Sequence, residues 1–163
     1  MLYFVGAGPG AADLITMRGY KLLTKADVVI YAGSLVNPKL LNFTKEGCEI
    51  HNSAYMTLEE VIKIVKKAEA ENKMTVRLHT GDSSIYGAVR EQMDILEKLG
   101  INYDVVPGVS SFCGAAASIN AEYTLPDVSQ TVIITRMEGR TPVPERESIR
   151  SLAAHKSTMV LFL

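Results

Sequence analysis

The chain has 163 residues, of which 47% are hydrophobic, and 17 Lys and Arg oppose 18 Asp and Glu for a net charge of −1. Such apolar content at near-zero net charge excludes a disordered chain, and the balanced charges give no overall attraction to nucleic acid or anionic membranes. The length fits one hydrophobic core, no apolar run reaches the ~20 residues of a membrane span, and no basic segment of a secretory signal precedes the apolar start.

Short apolar runs and amphipathic segments alternate over the first 120 residues. Strands are predicted at 2–5, 28–31, 49–51, 76–78 and 103–106, and helices at 14–26, after Pro38, and at 57–71, 88–99 and 111–119. Thr57 and Glu60 have the spacing of a capping box, and Gly100 is placed to end a helix. This alternation predicts an α/β fold in which helices cover both faces of a mostly parallel sheet.

The pattern changes after residue 120. A polar segment at 120–127 precedes a predicted strand at 131–135, a loop at 136–146, a helix at 147–155 and a strand at 158–163. The chain stops inside this last apolar run, whereas free termini usually lie on the surface. We therefore expect the chain to be the front part of a longer protein, with a buried terminal strand as the alternative.

Cys48 and Cys113 lie far apart and have neither CxxC nor metal-ligand spacing. They are predicted to be buried free thiols in a reducing cytosol.

A glycine-rich segment, Gly6-Ala7-Gly8-Pro9-Gly10-Ala11, lies between the first strand and the next helix. Such a loop is typical of a dinucleotide site, where an acidic residue at the end of the second strand binds the ribose. Here the second strand runs into Tyr31-Ala32-Gly33-Ser34, which contains no acidic residue. Asp27 precedes the strand and would lie at its other end. A nicotinamide or flavin site and a purely structural turn therefore stay as alternatives.

Two further segments of small residues follow strands: Thr80-Gly81-Asp82-Ser83-Ser84-Ile85-Tyr86-Gly87 and Pro107-Gly108-Val109-Ser110-Ser111. Open α/β sheets bind ligands at the carboxyl ends of their strands. In this order the three segments resemble those of the tetrapyrrole methylases, the class III S-adenosylmethionine-dependent methyltransferases. Residues 81–93 and 135–145 are most similar to the branch that methylates C-11 of precorrin-4 or cobalt-precorrin-4 in cobalamin biosynthesis.

The resemblance implies two α/β domains, 1–114 and an incomplete 115–163, with the active site in the cleft between them. It also implies a homodimer that uses S-adenosylmethionine on a polyanionic tetrapyrrole. The chain is expected to be cytoplasmic, with no metal, nucleic acid or membrane partner. The cofactor-binding residues it implies are Pro9, Gly81, Asp82, Ile85, Ser110, Ser111 and Leu163. The resemblance also places the glycine-rich segment near the macrocycle, which makes Gly6, Gly8 and Gly10 candidate substrate contacts.

Asp82 is the charged member of the cofactor set, and its carboxylate can accept hydrogen bonds from a ribose or an ammonium group. Its alternative role is to cap a helix that begins near Ile85. The many carboxylates of a precorrin favour arginine partners, and Arg136 and Arg140 rank first because they flank the loop that resembles the precorrin-4 branch. Lower-ranked arginines are Arg18, Arg90 and Arg146, and His79, Tyr86 and Glu91 are too weak as candidates to assign a general base.

Other functions stay open on the sequence alone. The chain could belong to another member of the family, acting on uroporphyrinogen, another precorrin, a diphthamide precursor or ribosomal RNA. An oxidoreductase and a non-enzymatic binding fragment are the alternatives from other classes. Ser83-Ser84 lacks the G-x-S-x-G pattern of a hydrolase nucleophile.

Overall fold

The computed structural model describes residues 1–139 and 142–163, except for the side chain of Ser34. These residues form two compact units, Met1–Gly114 and Ala115–Leu163. That each unit is a domain in its own right stays a prediction.

The first unit contains a five-stranded sheet. Its strands are β1 (Leu2–Gly6), β2 (Val28–Tyr31), β3 (Glu49–Asn52), β4 (Thr75–His79) and β5 (Tyr103–Val106), in the order β3-β2-β4-β1-β5. Every neighbouring pair is parallel. Central β4 is buried at all five positions, as expected for a strand covered on both faces. The predicted parallel sheet is confirmed.

Helices cover both faces of this sheet. Phe4 and Ile30 point to an apolar cluster that includes residues of α2 (Leu58–Ala70) and α3 (Arg90–Lys98). The adjacent positions Val5 and Val29 point to a second cluster, which includes Leu23 of α1 (Met17–Leu23). The alternation of side chains along each strand therefore builds two cores, one on either side of the sheet.

The first predicted helix is wrong at its start. A 3-10 turn covers Ala12–Leu14, the chain is extended at Thr16, and α1 begins only at Met17. Thr16 Oγ1 accepts a hydrogen bond from Gly19 N at 3.2 Å, which caps the helix. Three other 3-10 segments of the first unit lie at Gly33–Leu35, Pro38–Phe43 and Ser53–Tyr55.

Both long helices end in the same way. Asn72, with φ 54°, follows α2, and Gly100, with φ 66°, follows α3. After α2 the amide of Lys73 donates to Ala68 O at 2.9 Å, and after α3 the amide of Ile101 donates to Leu96 O at 3.0 Å. These are Schellman ends. At the start of α2 the predicted capping box of Thr57 and Glu60 is also present.

α4 (Ser111–Ser118) contains the division between the units. In the second unit β6 (Val132–Arg136) pairs in parallel with β7 (Thr158–Phe162), and α5 (Ile149–Ala153) lies between them in the chain. α5 is shorter than predicted, because Ser148 caps it after a 3-10 turn at Glu145–Glu147. Within the described ranges, no helix has both the length and the apolar character needed to cross a membrane.

Candidate functional site

Three loops leave the carboxyl edge of the sheet side by side. We name residues 7–11 the first loop, 80–89 the second loop and 107–110 the third loop. They follow β1, β4 and β5, which are neighbours in the order β4-β1-β5. The three small-residue segments of the sequence therefore meet at one edge, as predicted for parallel strands.

Main-chain hydrogen bonds join the first loop to the second. Gly8 N donates to Gly81 O at 3.2 Å and Gly81 N donates to Gly8 O at 3.0 Å, which forms an isolated antiparallel bridge. The amide of Ala7 also donates to His79 O at 2.7 Å. The space between the carboxyl ends of β1 and β4 is thus closed by protein.

This closure bears on the dinucleotide alternative. The chain leaves β1 toward α1 on one face and leaves β4 toward α3 on the other, so a dinucleotide would enter between these two strands. The bridge of Gly8 and Gly81 fills that position, and α1 begins too far beyond the first loop, at Met17, to offer its amides to a pyrophosphate. The structure argues against a nicotinamide or flavin site at this loop.

The glycines of the three loops are explained by close packing of main chains. A Cβ on Gly6 would lie 2.5 Å from Gly108 Cα, and a Cβ on Gly108 would lie 2.1 Å from Gly81 O. Gly8 has φ +82° and is buried, whereas Gly10 has φ +136°, is exposed and has open space around it. Substrate contact at Gly6, Gly8 and Gly10 stays a prediction, and of the three only Gly10 is exposed.

Asp82 links the second and third loops. Its Oδ2 accepts a hydrogen bond from Gly108 N at 2.7 Å, and its Oδ1 accepts bonds from the amide of Ser84, at 2.8 Å, and from the Ser84 hydroxyl. Burial raises the pKa of Asp82, but the bonds from Ser84 and Gly108 outweigh burial and bring the pKa below its ordinary value. The carboxylate is ionised and half-buried at neutral pH.

The alternative role of Asp82 as a helix cap is wrong. No helix begins near Ile85, because residues 82–89 form an irregular turn and α3 starts at Arg90. Within that turn Tyr86 and Ala88 have φ 54° and 49°, a left-handed conformation that costs non-glycine residues about 1 kcal/mol or more. Gly87 lies between them, where a Cβ would lie 2.1 Å from Ser83 O.

Most of the predicted cofactor residues gather around these loops. A Cβ on Gly81 would contact Ser110 Cα at 3.3 Å and Ser111 N at 3.2 Å, and a Cβ on Gly114 would lie 2.5 Å from Pro9 Cβ. Ile85 donates its amide to Asp82 O at 3.2 Å. The structure thus brings together Pro9, Gly81, Asp82, Ile85, Ser110 and Ser111. Leu163 ends the second unit, where it is exposed.

Sequence reasoning did not predict the burial of a group of polar side chains on β4 and the second loop. Arg77, His79 and Ser83 are 7%, 5% and 3% exposed. His79 Nε2 and Ser83 Oγ are buried without a hydrogen-bond partner among the described residues. The alternation along β4 places Arg77 and His79 on one face of the strand, but no signal in the sequence shows that this face is buried.

His79 is neutral at physiological pH. Burial lowers its pKa to about 3, with a further contribution from the positive charge of Arg77. An imidazole with so low a pKa is a weak base, so His79 is a poor candidate for a general base. Tyr86 and Glu91 are both more exposed, and Glu91 lies in the first turn of α3.

The arginines predicted to meet the substrate have different surroundings. Arg136 ends β6, and its guanidinium donates to Met137 O at 3.2 Å and Pro142 O at 3.3 Å. Arg140 lies outside the described residues. Among the lower-ranked arginines, Arg90 forms an ion pair with Asp94 at 2.5 Å, Arg146 forms one with Glu147 at 3.5 Å, and Arg18 is exposed.

The prediction of two buried cysteines is wrong for Cys113. This residue is exposed on α4, a helix of small residues that buries none of its side chains. Cys48 is half-buried, and burial raises the pKa of its thiol. In the part of the chain that the structure describes, no three His, Cys, Asp or Glu residues group as a metal site would require.

Comparison with known proteins gives a family and several relatives. The family model for Tetrapyrrole (Corrin/Porphyrin) Methylases matches residues 1–163. The chain is 60% identical over 159 residues to a Methanocaldococcus jannaschii protein named cobalt-precorrin-4 C(11)-methyltransferase. That alignment covers 98% of this chain and 61% of the relative, so the chain spans less than two thirds of the relative's length.

Two solved structures are similar in fold. A cobalt precorrin-4 methyltransferase described as a cobalamin biosynthetic enzyme matches with a TM-score of 0.96 and 53% identity, over 99% of this chain and 68% of that one. A uroporphyrin-III C-methyltransferase from Thermus thermophilus, complexed with S-adenosylhomocysteine, matches with a TM-score of 0.72 and 30% identity, over 89% of this chain and 60% of that one.

Proposed function

Because this chain belongs to the tetrapyrrole methylase family, we propose that it takes part in S-adenosylmethionine-dependent methylation of precorrin-4 at C-11, with or without cobalt in the macrocycle. The observation that carries the proposal is 60% identity to a relative named for that reaction, over 98% of this chain. The conclusion also rests on the geometry of the loops, which gather six of the seven predicted cofactor residues.

The donor would be held mainly by main-chain groups, which we propose at Pro9, Gly81, Ile85, Ser110, Ser111 and Leu163. Asp82 would supply the charged contact. Its carboxylate is ionised, half-buried and fixed by Ser84 and Gly108, and a carboxylate has about four lone-pair sites. It therefore retains capacity to accept a bond from a ribose hydroxyl or from the ammonium group of the donor.

When bound, S-adenosylmethionine supplies a methyl group already activated by a positive sulfonium. The residues of this chain then have to align the donor with the acceptor carbon and keep water away. Alignment of two reactants and exclusion of water can lower a barrier by several kcal/mol without any side-chain base. Loops fixed to one another by hydrogen bonds suit this task, because they hold their shape before the substrate arrives.

The macrocycle would be recognised through its carboxylates. Arg136 and Arg140 are proposed as partners for these groups, and Gly6, Gly8 and Gly10 as the part of the first loop nearest the ring.

We also propose a cytoplasmic homodimer as the working form. A net charge of −1 is consistent with a small-molecule substrate rather than RNA.

The test is calorimetric titration of the full 163-residue chain with S-adenosylhomocysteine, with NAD as the control ligand. We expect saturable binding of S-adenosylhomocysteine and none of NAD. The Asp82→Asn variant should bind S-adenosylhomocysteine about tenfold more weakly, as expected for the loss of one charge-assisted hydrogen bond. Asp13→Asn, which removes an exposed carboxylate from the 3-10 turn before α1, is the matched control. Binding of NAD in place of S-adenosylhomocysteine would overturn the proposal.

A further inference from the structure

Arg77 is an unusual residue for the middle of a buried strand. It lies on β4 and is 7% exposed. Its strand neighbour Ile30 belongs to the apolar cluster that includes α2 and α3. Arginine is almost never buried to this extent without a partner of opposite charge.

The guanidinium of Arg77 has few partners. Its Nε donates to Gln92 Oε1 at 3.4 Å and its Nη1 donates to Ile30 O at 3.3 Å. Both distances are long for an N–H···O bond, and a guanidinium has five donors. No acidic side chain among the described residues forms an ion pair with it. Burial lowers the pKa of Arg77 to about 10, which leaves it charged at neutral pH.

A cavity of about 210 Å³ lies beside this side chain. Arg77 and Gln92 line it from β4 and α3, and Thr57 lines it from the start of α2. The exposed Glu91 also borders the cavity. Two buried polar atoms without a partner lie farther along the chain, outside the cavity lining: His79 Nε2 at the end of β4 and Ser83 Oγ in the second loop. The region has more hydrogen-bonding groups than the described protein satisfies.

The charges around the cavity favour one kind of ligand. A buried cation without a counter-ion is costly, and an anion that enters the cavity would remove that cost. A guanidinium pairs with a carboxylate through two parallel bonds. Among the described residues that line the cavity, Arg77 alone is positively charged, and Glu91 lies at the border, so a monoanion suits the cavity better than a doubly charged phosphate. Its volume is below the 300 Å³ or so typical of whole-ligand pockets, and so fits one group of a larger molecule or a small acid.

We propose that this cavity is a subsite for one carboxylate group, paired with the guanidinium of Arg77. The carboxylate can come from a side chain of a polycarboxylated macrocycle or from a free small acid, and the chemistry of the subsite is the same for both. The inference stands on Arg77 and the cavity, independently of where S-adenosylmethionine binds.

The first test follows the Nε–H signal of Arg77 by NMR in the full chain while sodium acetate replaces sodium chloride at constant ionic strength. We expect a saturable change in this signal with acetate and none with chloride. A visible Nε–H signal that acetate does not move would overturn the proposal.

A variant that leaves Arg77 in place sharpens the test. Glu91→Gln removes the negative charge at the border of the cavity and should tighten acetate binding by about twofold or more, as expected from Coulomb's law near a protein surface. Glu46→Gln removes the same charge from an exposed loop and should leave the affinity unchanged. Equal effects of the two variants would count against the subsite.

The source of the carboxylate is found by competition. Uroporphyrin III, an octacarboxylate, is added to the acetate-bound chain. Displacement of acetate assigns the subsite to a macrocycle side chain, and retention of acetate assigns it to a free small acid; both results support a carboxylate subsite. Because S-adenosylhomocysteine plays no part in these titrations, failure here is distinct from failure of the proposed function.

Discussion

The carboxylate of Asp82 accepts hydrogen bonds from its own loop, at Ser84, and from the third loop, at Gly108. In the proposed site the same residue contacts the donor. A carboxylate that holds two loops and also touches a ligand couples the shape of the site to its affinity. Removal of its charge should therefore affect binding both directly and through the position of Gly108.

Gly108 offers a sharper test of the loop packing. The Gly108→Ala variant would place a Cβ 2.1 Å from Gly81 O, with main chain on both sides. Neither main chain can move easily, so we expect a loss of about 1–3 kcal/mol in the free energy of unfolding, typical of overpacking. Urea unfolding measures this change.

The control for this variant is Gly139→Ala. A Cβ on Gly139 meets no atom of the described residues within 4 Å, and the φ of Gly139 is not in the left-handed region. This substitution should change the free energy of unfolding by less than about 0.5 kcal/mol, as is usual for surface sites. Equal losses in the two variants would mean that close packing of the loops does not constrain Gly108.

At the scale of residues, the sequence predicted where the small residues of the site lie, but not that close packing between the loops requires them. Gly6, Gly81 and Gly108 pack on one another only because β4, β1 and β5 are neighbours, and that strand order is not visible in local patterns. The cap role for Asp82 failed because Ala88 adopts φ 49°, which delays α3 to Arg90. No rule based on composition predicts an alanine in that conformation.

At the scale of elements, the two Schellman ends form a natural comparison. α2 ends with Asn72 and α3 with Gly100, both in the left-handed conformation. We expect Asn72→Gly to raise the free energy of unfolding by up to about 1 kcal/mol and Gly100→Ala to lower it by about 1 kcal/mol, because only glycine adopts this conformation without strain.

Thermal or urea unfolding of the two variants measures the difference. Within the described part of the chain, a Cβ on Gly100 would meet nothing within 4 Å, so steric contact does not account for a loss of stability there. Ala68→Gly, within α2, is the control for the general effect of glycine and should destabilise the chain. A Gly100→Ala variant as stable as the wild type would show that the helix end is not under this constraint.

Local signals decide which elements can be predicted well. The capping box of Thr57 and Glu60 lies within four residues, and the helix begins where the box predicts. The prediction for the first helix starts too early because Leu14 and Met17 have helical spacing. In the structure both side chains are exposed, at 45% and 70%, so burial does not favour a helix at Leu14. The cap at Thr16 therefore sets the start of α1.

At the scale of the whole molecule, His79 links stability to pH. Its pKa is about 3 in the folded chain, below the ordinary value of 6.5, since burial disfavours the charged form. Below pH 6.5 His79 therefore binds a proton in the unfolded chain but not in the folded chain. Stability should fall as the pH drops from 6.5 toward 3, by up to about 1.4 kcal/mol per pH unit from this residue.

Urea unfolding at several pH values, for the wild type and for His79→Gln, measures this contribution. The variant should lose less stability than the wild type between pH 6.5 and pH 4.5. His155→Gln replaces an exposed histidine and should leave the wild-type dependence in place. Parallel curves for wild type and His79→Gln would refute a role for His79 in acid sensitivity.

The parallel sheet with helices on both faces was predictable for the whole first unit, because buried parallel strands read as short apolar runs. The burial of polar residues in this sheet was not predictable. Arg77 and His79 interrupt the apolar pattern of β4, and such interruptions usually indicate an exposed face. Their burial follows from the central position of β4, which only the three-dimensional order of the strands establishes.

The bridge between Gly8 and Gly81 has a consequence for how this architecture can change over time. The three loops lie far apart in the sequence, yet the Gly8–Gly81 bridge and the bond from Gly108 to the Asp82 carboxylate make each of them part of the support of the others. An insertion or deletion in one loop would break its bonds to the next, so the loops have to be inherited, or transplanted onto another sheet, as a single set. New specificities should accordingly arise in segments outside that set.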